Sequence, residues 1–116
     1  MDISTRILSD ITVYMKYAKY RPELKRRETW KELVKRNMDM HIKTYPNLKE
    51  EIKEVYKFVS NKKILPSMRS MQFAGKPIEL SPNRIYNCAF APMDDWRVFS
   101  EIMFLLLGGT GVGYSV

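Results

Sequence analysis

Hydrophobic and polar positions along the chain fall into four kinds of stretch. Residues 7–20 mix β-branched and aromatic side chains (Ile7, Ile11, Val13, Tyr14, Tyr17, Tyr20) with no clean period, which predicts a short strand or an irregular arm ending near Arg21-Pro22. From about Arg27 to Tyr45, Trp30, Leu33, Val34, Met38 and Ile42 recur at steps of three and four, the stripe of an amphipathic helix. Tyr45-Pro46-Asn47 stops it. A second helix is predicted from about Leu48 to Val59, with Leu48, Ile52, Val55 and Val59 inward and lysines and glutamates outward. Residues 60–84 collect turn formers, among them Pro66, Gly75, Pro77 and Ser81-Pro82-Asn83, and read as a structured connector.

The last third changes character. Ile85 to Phe90 is a short apolar run that reads as a buried strand, followed by a turn at Ala91-Pro92-Met93-Asp94. A third helix is predicted from about Asp95 to Leu107, with Asp94 as its N-cap. It is apolar almost all round, and such a helix needs cover on most sides. Gly108-Gly109 ends it, and Val112 to Val116 begins another strand. Strand, helix, strand in that order predicts a βαβ unit with parallel strands and a right-handed crossover. Two parallel strands alone make no stable sheet, so further strands are expected from elsewhere.

Charge divides the chain at the same place. Residues 1–63 hold 16 Lys and Arg against 9 Asp and Glu, and residues 64–116 hold 4 against 4, so the whole net charge of +7 lies in the helical half. That half suits a solvated lysine-rich surface, a nucleotide or nucleic-acid phosphate, or an acidic partner. Lys25-Arg26-Arg27 lacks the interleaved aromatics of a single-strand binder and reads as a solvated or partner-facing helix start. The longest apolar run, Ile102 to Leu107, is far short of a bilayer, and residues 1–6 lack a signal-peptide pattern. A single cysteine closes no internal disulfide, and the expected setting is reducing and cytoplasmic. One Cys and one His do not fill a metal coordination sphere; His41, on the basic helix, reads as a surface residue.

Two features carry candidate chemistry. Cys88 is the only thiol, and no His, Asp or second Cys lies near it in sequence, so its position suits a small buried apolar residue or a redox thiol. Gly108-Gly109-Thr110-Gly111-Val112-Gly113 follows a helix and opens a strand, the reverse of a dinucleotide fingerprint. Those glycines suit a helix cap and tight turn, or a backbone that lies against a ligand. Asp94-Asp95 reads as capping rather than a carboxylate pair.

Four segments together resemble one family. Arg26-Arg27-Glu28-Thr29-Trp30, Ile64 to Met71 (Ile-Leu-Pro-Ser-Met-Arg-Ser-Met), Tyr86-Asn87-Cys88 and Gly109 to Val116 are similar, in order and spacing, to the N-terminal part of ribonucleotide reductases. The match is nearest to the adenosylcobalamin-dependent, class II, ribonucleoside-triphosphate type, including phage-borne versions; no ATP-cone segment precedes it. The resemblance implies an α/β fold: a basic, mainly helical region over residues 1–63, then, over 64–116, the first strand-helix-strand unit of a ten-stranded α/β barrel. It implies that Cys88 is one member of the redox cysteine pair that reduces a ribonucleotide to a 2′-deoxyribonucleotide after a thiyl radical on another cysteine removes the 3′ hydrogen. It implies substrate contacts at Ser67, Asn87 and the backbone of Gly111, adenosylcobalamin bound by downstream sequence, and re-reduction by a thioredoxin-like dithiol. The second redox cysteine, the thiyl cysteine and the cobalamin-binding segment are absent from these residues. The chain is therefore expected to be a reductase fragment or split-gene half, inactive alone and completed by the remainder of the barrel. A basic helical module binding nucleic acid or an acidic protein is the alternative.

Overall fold

The computed structural model describes residues 2–115. The N-terminal stretch is helical, not the strand or irregular arm that its β-branched content predicts. Helix α1 spans Ile3–Thr12 and runs on into a π-helical turn, Val13–Tyr17, closed by the Ala18 amide donating to the Val13 carbonyl at 2.9 Å. Ile3, Ile7, Leu8 and Ile11 are spaced three and four apart, so the helical period is present; β-branching lowers helix propensity by only tenths of a kcal/mol per residue, too little to override it.

A two-residue hairpin follows, β1 (Tyr20–Arg21) against β2 (Arg26–Arg27), antiparallel, with Lys25 left-handed (φ 50°) in the turn. The basic run is therefore a hairpin arm and not a helix start. Arg26 forks onto Glu32 at 2.8 and 2.9 Å, and Arg27 donates to the Ala18 carbonyl at 2.9 Å, so two of its three cations are engaged within the chain.

Helix α2 (Trp30–Thr44) begins at a capping box: the Thr29 hydroxyl accepts from the Glu32 amide, and the Glu32 carboxylate accepts from the Thr29 amide at 2.7 Å. Glu32 is held at a pKa of about 2, first by Arg26 and then by that amide. Helix α3 (Lys49–Ser60) packs back against α2. Leu33, Val34, Tyr56, Val59 and Met71 form the core, with Trp30 at its edge donating from Nε1 to the Ser60 carbonyl at 2.9 Å. Met71 comes from α4 (Met68–Phe73), one of two short helices in the connector; α5 (Lys76–Leu80) adds Ile78 to a second cluster with Met40 and Ala74.

Two buried polar groups lock these helices. Asn37, fully buried, donates to Ser70 Oγ at 2.7 Å and accepts from the Tyr56 hydroxyl. Burial pushes Tyr56 up to about 12. Glu28, also buried, pairs with Arg36 at 3.0 Å, and Arg36 and Lys19 both donate to the Ala74 carbonyl, at 3.0 and 3.1 Å. Among the described residues no buried side-chain nitrogen or oxygen lacks a partner. His41 is not a surface residue: it is half-buried with its ring 6.2 Å from that of Tyr56, and burial lowers its pKa.

The C-terminal part is a parallel pair, β3 (Cys88–Pro92) and β4 (Gly111–Ser115), joined through α6 (Val98–Leu107). The βαβ order is as predicted. Its strand begins later and runs through Pro92, so the expected turn lies beyond it. Asp94 does not cap α6. The helix begins three residues later, and Asp95 instead accepts from the Arg97 amide at 2.9 Å, which lowers its pKa. No helix among the described residues is long and apolar enough to cross a membrane.

Candidate functional site

The exposed face of the parallel pair carries two of the sequence-predicted residues, Cys88 and Gly111. Cys88 is register partner to Gly111, and Phe90 to Gly113. Side chains alternate across a strand, so Cys88, Phe90, Gly111 and Gly113 share one face while Ala89, Ala91 and Val112 take the other, more buried one, against which α6 packs. Cys88 is exposed, not buried as its apolar neighbours suggest: of the run Ile85–Phe90 only Cys88 to Phe90 is strand, and the face that carries Cys88 and Phe90 has no cover among the described residues.

The glycine cluster separates into two functions. Gly108 and Gly109 terminate α6 in a Schellman arrangement, with Gly109 left-handed at φ 88°. Its amide donates to the Leu106 carbonyl at 3.0 Å and the Thr110 amide to the Leu105 carbonyl at 3.0 Å. A Cβ on Gly108 would fall 2.1 Å from Asn83 Nδ2, the end of a side chain that can swing aside, and Gly108 itself is in right-handed backbone that any residue adopts. Gly111 and Gly113 show neither feature. Their φ values are not positive, and a Cβ would meet nothing nearer than the Asn87 carbonyl oxygen at 3.7 Å or Phe90 Cδ2 at 3.9 Å, ordinary contacts. The chain itself leaves room for side chains at both positions. A strand glycine with no internal cause marks a place where something from outside comes close.

Asn87 precedes Cys88. Its carbonyl accepts from the Gly111 amide at 2.9 Å, which starts the parallel ladder, and the Tyr86 carbonyl accepts from the buried Thr110 hydroxyl at 3.3 Å. Ser67 lies apart from that rung, as N-cap of α4, its hydroxyl accepting from the Ser70 amide at 3.5 Å. Two residues on, Arg69 makes the connection. Its Nε donates to Asn87 Oδ1, its Nη2 donates to the Gly109 carbonyl at 3.1 Å, and its guanidinium lies 5.4 Å over the Phe73 ring. Asn87, Cys88 and Gly111 are thus adjacent, and Ser67 is not brought to them; the tie from α4 to the strands is Arg69. In the sequence Arg69 stands only within the Ile64–Met71 segment, two residues before the core Met71, and nothing local marks it as a tie.

Among the described residues no group of three or more His, Cys, Asp and Glu could hold a metal ion. The polar side chains nearest Cys88 along the chain and by hydrogen bond are the Asn87 amide and the Arg69 guanidinium, and the single imidazole, His41, stands beside Tyr56. Among the described residues nothing forms a site for adenosylcobalamin.

No protein-family model and no curated protein matches the chain. A solved structure does: a B12-dependent, class II ribonucleotide reductase superposes with a TM-score of 0.75 at 25% identity, over 90% of this chain. The chain spans 19% of the length of that reductase.

Proposed function

We propose that this chain is a segment of a ribonucleoside-triphosphate reductase, the one that brings Cys88 and a side-chain-free strip of strand to the substrate ribose inside a ten-stranded α/β barrel. The carrying observation is the pairing of Cys88 with Gly111 on the open face of a parallel βαβ unit, where glycine has no cause within the chain. The likeness to a class II reductase over nine-tenths of the chain supports the same assignment.

The chemistry then distributes as follows. A thiyl radical on a second polypeptide segment removes the 3′ hydrogen of the ribose, and the 2′ hydroxyl leaves as water. Cys88 and a partner thiol give up two protons and two electrons and close to a disulfide. One proton leaves with the 2′ hydroxyl as water, and the other proton with the two electrons makes the new C2′–H bond. The hydrogen first taken returns to C3′ and the thiyl radical is regenerated. An external dithiol of the thioredoxin kind reduces the disulfide. Cys88 is the only cysteine of the 116 residues, so both other thiols must come from sequence outside them. The radical generator, adenosylcobalamin in the class II type, would likewise be held by other parts of the assembly. Ser67 and the Asn87 side chain would contact the nucleotide, and the Gly111 backbone would lie against it. Residues 64–116 would form the opening unit of the barrel and residues 1–63 its basic helical flank.

The test is reconstitution with a polypeptide carrying the remainder of a class II barrel. The isolated chain should reduce no ribonucleoside triphosphate, and the reconstituted complex should. Cys88→Ser in that complex should keep nucleotide affinity within about threefold and abolish deoxynucleotide formation, because a hydroxyl cannot close the disulfide. Undiminished product from the serine variant would remove Cys88 from the chemistry.

A further inference from the structure

The Arg69 guanidinium joins α4 to the two strand entries that carry Asn87 and Gly109. Its backbone belongs to α4, which is anchored in the helical core through Met71 and through the buried Ser70–Asn37 hydrogen bond. Its Nε reaches the Asn87 side chain, one residue before Cys88, and its Nη2 reaches the Gly109 carbonyl, two residues before Gly111. The Phe73 ring underneath restricts where the guanidinium plane can go.

Donor and acceptor chemistry fixes what this does to Asn87. An arginine side chain has five donors and no acceptor, and an amide side chain has one accepting and one donating end. Arg69 can therefore meet Asn87 only through Oδ1, and the Asn87 amide is held with its NH2 turned away from Arg69. We infer that Arg69 is a positioning residue that leaves the NH2 as the end of the Asn87 side chain available to a ligand and ties the Cys88–Gly111 rung to α4, the helix that Ser67 caps. The inference rests on the substrate site proposed above. The ligand group it selects is an acceptor, a ribose or phosphate oxygen, and it selects against a group that can only donate. Lysine could not replace it: an ammonium is a point donor on a flexible stem and does not present two N–H groups in one plane to Asn87 and Gly109.

Two measurements test this. In the 116-residue chain, amide hydrogen exchange is read at Gly111, whose N–H is bonded to the Asn87 carbonyl, and at Leu33 and Met71 in the core. Arg69→Met should speed exchange at Gly111 about tenfold and leave the core amides within about twofold, since the loss of two hydrogen bonds is local. An unchanged Gly111 rate, or an equal change at all three sites, overturns the tie. In the reconstituted complex, Arg69→Met should lower kcat about tenfold with KM for the ribonucleoside triphosphate within about twofold, and Arg69→Lys should not restore it. Asn87→Ala should cost a similar factor, and the double variant should be no worse than either single one, because each removes the same contact. A raised KM that Arg69→Lys restores would make Arg69 an anion ligand instead, and additive losses would separate it from Asn87; either overturns the inference. Should the wild-type complex form no deoxynucleotide, the reductase assignment fails, while the exchange result still decides whether Arg69 holds the rung.

Discussion

In the barrel proposed above, helix α6 is an element that would gain cover. Of its residues only Val98 is buried. Phe99, Met103, Phe104, Leu106 and Leu107 are between 49% and 82% exposed. At 1.5–3 kcal/mol for covering one large apolar side chain completely, and with each of the five about three-fifths open, the uncovered face is worth about 5–9 kcal/mol to whatever docks on it. That is of the order of the entire stability of a small domain. The isolated chain is therefore expected to self-associate, which sedimentation velocity and ANS fluorescence would detect. Replacing Phe104 and Leu107 by lysine removes about 2–4 kcal/mol of that face. The double variant should be more soluble and should keep its helical circular dichroism, because neither side chain belongs to the core around Leu33 and Met71. It should also bind the complementary barrel polypeptide at least about thirtyfold more weakly, at 1.4 kcal/mol per factor of ten. Titration of that polypeptide with both chains measures the ratio. A monodisperse wild-type monomer with a sharp melt, or a variant that binds within threefold of wild type, would show that α6 is not a covered barrel helix.

Two further outcomes follow from the glycines and from the buried tyrosine. Gly111→Ala should leave the melting temperature of the chain unchanged or slightly raised, since the added methyl meets only the Asn87 carbonyl oxygen at 3.7 Å and the unfolded chain loses freedom, yet it should weaken nucleotide binding by the reconstituted complex about tenfold or more; equal affinity would return Gly111 to a passive strand position. Tyr56 has a folded pKa of about 12 against an ordinary 10, so its neutral form is favoured in the fold. Its contribution is fully present below pH 10 and is lost as pH rises from 10 toward 12. Urea midpoints of the wild type should fall over that range relative to those of Tyr56→Phe; parallel pH profiles for the two would show that the phenol is not held neutral by burial.

The parts of this fold that were legible in the sequence are those where local pattern and tertiary packing demand the same thing. Helix α2 has both a stripe and a capping box, and α3 has a stripe ended by Ser60-Asn61, so each lies within three residues of its predicted bounds. The stretch before Arg21 failed because side-chain type and spacing disagreed there, and spacing won. The connector hid two helices of six and five residues, too short for periodicity to register, although Met71 from one of them is a central core residue. Arg69 was invisible as a tie because its partners are eighteen and forty residues away.

The site was legible in a different sense. Cys88 and the glycines could be named from the sequence, but their meaning depended on which glycines the chain needs for itself. Left-handed geometry accounts for Gly109, and Gly108 faces only the movable end of the Asn83 side chain. The other two sit in extended backbone with ordinary room for a methyl, on the strand face that also carries the thiol. Glycine weakens a strand interior, because it costs more backbone entropy than alanine and offers no side chain to pack. Two such positions beside an exposed thiol lower the stability of this pair without relieving any strain within it. On the proposed function the compensation comes from outside the strands, from a ligand in the space above Gly111 and from further structure over Phe90 and α6. A substrate ribose lying between Cys88 and a bare backbone, inside a barrel, would supply both.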